Sequence, residues 1–171
     1  MYPLALAVIP ILAGGFIPLA GGGPNESDVK AAYVLNILRL TQRKDPPGGE
    51  LHLCLLRPGV LEPALQALDG TLLQGRRLKT RTATKESIEG CDVLFFGDLS
   101  GAARTLARGH ARGMLTIGCD EKFLAMSGMV ALVMEHRRIV VEINQSALKS
   151  PVWTFSSHLL EVARVQQGGL P

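Results

Sequence analysis

CDVLFFG (residues 91–97), GAARTLAR (101–108) and MLTIG (114–118) follow one another in the middle of the chain. The first and last are short apolar runs without polar alternation, the pattern of strands covered on both faces. The segment between them reads as a helix from Gly101 to about Arg108, with Ser100 as its cap. Strand, helix and strand in that order make a parallel β-α-β unit.

Working outward toward the amino terminus, LHLCLLR (51–57) is a third buried strand. A helix follows from Val60 to Leu68, with Pro63 tolerated in its first turn, and Asp69-Gly70 stops it. Residues 76–83 form a polar strand at or near a sheet edge, and Glu86–Gly90 connect it to the central unit. Upstream, residues 25–42 read as the first helix. Asn25 or Ser27 caps it, Asp28 favours its first turn, and Val29, Ala32, Tyr33, Ile37 and Leu40 fall close to one stripe. KDPPGG (44–49) ends it.

Toward the carboxyl terminus, MVALVMEH (129–136) and RRIVVEIN (137–144) are apolar runs separated by almost nothing, a β-hairpin turning near Glu135–Arg137. Ser146–Lys149 make a helical turn, Pro151 starts an irregular link, and Ser156 or Ser157 caps a last helix running through Val165. The tail QQGGLP (166–171) reads as disordered. The expected fold is α/β: one layered domain spanning 25–165, a mostly parallel sheet flanked by helices, with a C-terminal β-hairpin.

The 171 residues carry 18 Lys and Arg against 15 Asp and Glu, a net charge of only +3. That balance argues against a nucleic-acid binder, which concentrates basic residues on one face. Arg76, Arg77, Lys79 and Arg81 are better read as a solvated strand. The first 22 residues lack any charged side chain and end in small residues from Ala20 to Gly23. They read as a signal peptide over 1–22, with an uncleaved membrane anchor as the competing reading. Three cysteines, an odd number, in an exported chain suggest one bridge and one spare thiol. None of His52, His110, His136 and His158 has metal-ligand spacing, so no metal site is expected.

Catalytic constellations are not evident. No G-x-S-x-G elbow, P-loop or dinucleotide fingerprint is present. Asp98 and Asp120 follow core strands, where ordinary helix caps are common. Met126, Met129 and Met134 read as core filling. Trp153 and Phe155 flank Thr154 in the irregular link and either anchor a partner or plug the core. Glu142 is expected to pair with Arg137 or Arg138, Asn144 to satisfy backbone groups where its strand ends, and Ser156 and Ser157 to cap the last helix. No cofactor is expected.

Three segments together resemble the YfiR family. VKAAYVLNILRL (29–40) is similar to its opening helix. LCLL and CDVLFF each carry a Cys where many members have one. SGMVALVMEHRRIVVEIN (127–144) followed by FSSHLLEVARV (155–165) is similar to its hairpin and last helix. Members commonly run from the first helix into Trp-Pro, where this chain has Arg43 and Lys44, and Val141 stands where Phe is usual. The resemblance implies a periplasmic, non-enzymatic regulator that binds the periplasmic region of an inner-membrane signalling protein, typically a diguanylate cyclase, and restrains it. Cyclic-di-GMP output and biofilm behaviour would respond. It also implies a homodimer and release by an envelope or redox signal. With export, it implies a Cys54–Cys91 disulfide closing a loop of roughly 40 residues, a stabilisation of roughly 4 kcal/mol on the chain-entropy picture, and leaves Cys119 unpaired. Two rivals stand beside it: a periplasmic small-molecule-binding domain using strand ends near Arg57, Gly97 and Gly118, and a hydrolase or transferase in which His110 or His158 serves a nucleophile.

Overall fold

The computed structural model describes residues 25–46 and 48–167. The signal-peptide reading of 1–22 lies outside the described residues, as does the tail from residue 168. Helix α1 (Glu26–Arg39) starts at Asn25, whose side chain accepts from the Asp28 N–H. It is followed by β1 (Thr41–Arg43) and β2 (Glu50–Leu56). A 3₁₀ turn at Gly59–Leu61 leads into α2 (Glu62–Gln66). Next come β3 (Leu72–Leu73), β4 (Arg76–Ala83), β5 (Val93–Phe96), α3 (Ala102–Ala111) and β6 (Leu115–Gly118). The chain closes with β7 (Val130–Glu135), β8 (Arg138–Asn144), a 3₁₀ segment at Gln145–Lys149, β9 (Trp153–Phe155), α4 (Ser157–Val162) and β10 (Arg164–Gln166).

Eight strands form one mixed sheet in the order β10-β8-β7-β6-β5-β2-β4-β3. The run β4-β2-β5-β6-β7 is parallel throughout. β7 and β8 form the antiparallel hairpin, with Glu135 opposite Arg138. Its two turn residues, His136 and Arg137, both take left-handed φ (46° and 64°), the backbone that matches the twist of a tight hairpin. This is the α/β domain with a mostly parallel sheet that the apolar runs imply.

Alternation along the strands splits the core into two layers. Leu53, Leu55, Val93 and Phe95 face α1, α2 and α4. Cys54, Leu56, Leu94 and Phe96 face α3 and the segment around Ile88 and Phe123. Central strands with both faces covered carry no polar alternation, which is why 53–56 and 93–96 stand out as unbroken apolar runs.

The shortest elements differ from the sequence reading. The first helix stops at Arg39, not residue 42, and Thr41–Arg43 pair antiparallel with Trp153–Phe155 in a separate two-stranded sheet. The expected irregular link after Pro151 is therefore strand β9. The last helix ends at Val162, not Val165. Ala163 takes an extended conformation (ψ 151°), and Arg164–Gln166 run parallel to β8, so the expected tail begins inside a strand. Ser100 does not cap α3; its N-cap is Gly101 at φ 65°, with no side-chain cap bond.

Candidate functional site

The amino ends of the parallel strands carry a polar cluster around Asp92, the residue just before β5. Asp92 is 5% exposed. One carboxylate oxygen accepts from Arg43 at 2.8 Å, and the other accepts from the His52 backbone N–H at 2.9 Å and from Arg76 at 3.4 Å. Two guanidinium groups and an amide thus balance one buried charge, the arrangement that makes such burial tolerable. Arg43 also lies over the Trp153 ring, 5.8 Å from its centroid, and the Trp153 indole N–H donates to the Gly113 carbonyl at 2.8 Å. Trp153 and Phe155 are both buried, so they fasten the small sheet to the core. Sequence reading missed Asp92; an acid heading an otherwise apolar strand was the signal, but its partners lie 49 and 16 residues away.

A second polar network sits where β10 joins β8. Glu142 is 6% exposed and accepts from Arg164 at 2.9 Å and Gln166 at 2.6 Å. Its partner is not Arg137 or Arg138, because β10 brings Arg164 into register directly beside Glu142. Arg164 also holds both oxygens of Glu135 (2.7 and 3.1 Å), and that hydrogen bonding draws the Glu135 carboxyl below its ordinary value. Asn144 donates to the Gly128 carbonyl at 3.2 Å and accepts from the Ser146 N–H and hydroxyl. Ser156 accepts from the Leu159 N–H as the N-cap of α4, and Ser157 is that helix's first residue.

Cys54 and Cys91 form a disulfide across a separation of 37 residues. Cys91 lies in the segment before β5, not in the strand, and bridges to β2 on the α3 face. Cys119 is free, and burial pushes its thiol up to about 11, far from a reactive thiolate. His158 faces Glu161 at 3.4 Å, and burial lowers the His110 imidazole from its usual value. Asp98 and Asp120 accept from the backbone N–H groups of Ser100 and Lys122, each at 2.7 Å. Among the described residues, no group of three or more His, Cys, Asp and Glu is arranged to hold a metal ion.

At the carboxyl ends of the strands, Gly97 and Gly118 are glycines of close approach. A Cβ on Gly97 would meet the Arg57 carbonyl oxygen at 2.3 Å, and one on Gly118 would meet the Phe123 ring at 2.6 Å. Residues 57–58 therefore lie flush against residue 97, and Gly118 is roofed by an aromatic ring.

The model of the YfiR/HmsC-like family matches residues 27–164, from the first turn of α1 to the first residue of β10. The chain belongs to the YfiR/HmsC-like family. No curated protein matches the chain at a significant level. Within this YfiR/HmsC-like domain, Arg43 grips both Asp92 and Trp153. That contact is the clamp that joins the two sheets. Among the described residues, no helix is long and apolar enough to cross a membrane.

Proposed function

We propose that this chain is a periplasmic regulatory protein that binds the periplasmic part of an inner-membrane signalling enzyme of the diguanylate cyclase type and restrains it. The observation that carries the reading is the extent of the YfiR/HmsC-like match: residues 27–164 include nearly every described element. The Cys54–Cys91 bridge supports an oxidising compartment, and the apolar stretch 1–22, read as a signal peptide, supplies the route there. The protein acts as a homodimer and without turnover. By binding one conformation of the cyclase it shifts the population away from the active one. Driving such an equilibrium from 1:99 to 99:1 takes about 5.5 kcal/mol of differential affinity. Cyclic-di-GMP, and with it biofilm formation, then falls as the complex forms.

The test is deletion of the gene in the native host, complemented by a tagged full chain. Deletion should raise cyclic-di-GMP, and crosslinked capture from membranes should return a GGDEF-type membrane protein. Unchanged cyclic-di-GMP on deletion, with no such protein in the capture, would end the proposal.

A further inference from the structure

The order of the sheet reverses at β2. From β2 the chain passes to β4 on one side, then crosses to β5 on the other. In open parallel sheets, the crevice outside the carboxyl ends at such a reversal is where ligands sit. Leu56, Ala83 and Phe96, the last residues of β2, β4 and β5, stand side by side in register. All three line a groove of about 730 Å³ at that point, within the roughly 300–1,000 Å³ of small-molecule sites. Together with Ala102 they give it an apolar floor.

The charges around the groove are unequally satisfied. Glu62 accepts from the Thr82 hydroxyl and from Gln66 at 3.0 Å. Asp98 accepts from the Ser100 N–H and lies 3.6 Å from Arg57. Glu86 is exposed. Lys85 is half-buried and, among the described residues, has no carboxylate within 4 Å; Asp98, held below its ordinary value first by the Ser100 hydrogen bonds and then by Arg57 and Lys85, is the acid whose field it shares. Its ammonium rests on Gly101, where an added Cβ would stand 2.4 Å from Nζ. Glycine there provides the positive φ of 65° and leaves room for the lysine. Arg57, the other cation, leaves β2 with φ 50°, a left-handed conformation that side-chain-bearing residues seldom adopt.

We propose that this groove binds a small organic anion, a carboxylate or phosphate ester with an apolar body. Lys85 and Arg57 take the anionic group, and the floor of Leu56, Ala83, Phe96 and Ala102 takes the apolar part. The site is independent of the partner reading: it stands or falls on the carboxyl end of the sheet alone.

The experiment titrates the full chain with 8-anilinonaphthalene-1-sulfonate, an apolar anion whose fluorescence reports binding. Lys85→Gln, Lys85→Arg and the remote control Lys149→Gln are titrated alongside, with thermal melts to show that each folds. The expected result is one saturable site, weakened about tenfold in Lys85→Gln, the effect of losing about 1.4 kcal/mol. Lys85→Arg should restore it and Lys149→Gln leave it unchanged. Displacement by benzoate points to a carboxylate ligand, and displacement by phenyl phosphate to a phosphate ester. Displacement by inorganic phosphate but by neither aryl anion overturns the organic ligand, since the floor then contributes nothing. Equal affinity across all four proteins overturns the site.

Discussion

The two ends of the same parallel sheet are built on opposite terms. At the amino end, Asp92 is buried and answered by Arg43, Arg76 and the His52 amide, and the grooves beside it run along this bonded cluster. At the carboxyl end, an open groove holds a lysine with no carboxylate partner among the described residues. Charge bonded to a buried partner serves the fold, whereas charge with no directly bonded partner beside an apolar floor is available to something else. The difference separates residues whose loss should unfold the protein from residues whose loss should leave it standing.

The largest effect is expected from the bridge that anchors the segment next to Asp92. The double variant Cys54→Ala/Cys91→Ala should lose about 4 kcal/mol in urea unfolding, the loop-closure entropy of a separation of 37 residues. Adding reductant to the unaltered chain should reproduce that shift and leave the double variant where it is. Next comes Asp92→Asn, which leaves two guanidinium groups facing a neutral amide and should cost about 3 kcal/mol, as when one member of a buried pair is removed. Smallest is Lys85→Gln, which should change the unfolding free energy by no more than about 0.5 kcal/mol. If Asp92→Asn cost no more than Lys85→Gln, the two ends would be energetically alike and the contrast would collapse.

Much of this architecture is legible in the residues themselves. Residues 51–56, 93–96 and 115–118 announce buried strands because both faces are covered, and 129–144 announces a hairpin because two apolar runs meet at a two-residue turn. The missed elements are β1, β3, β9 and β10, each of two or three residues. A strand that short has no period to detect; it exists because a partner strand is presented to it. SSHLLEVARV reads as a continuous helix by local spacing, yet the chain breaks out at Ala163 because Arg164 finds Glu142 and Glu135. The same blindness hid the amino-end cluster, since Arg43 reaches Asp92 from a strand three residues long. The cysteine pairing, by contrast, is carried by the YfiR-family likeness together with export.

Gly97 has a mechanical consequence for the groove. With the Arg57 carbonyl only 2.3 Å from where its Cβ would stand, and with the Gly97 N–H bonded to the Leu56 carbonyl at 3.0 Å, the loops after β2 and β5 are pinned together as a fixed jaw. The opposing side, 82–86, is held as well: Thr82 and Ala83 stand in register with Leu55 and Leu56 of β2, and Arg108 of α3 donates to the Lys85 carbonyl at 2.6 Å. That segment leads into Cys91, and the disulfide limits how far its far end can travel. The groove is thus a braced frame with both rims tied to the sheet or to α3, and the cation stands on one of those rims.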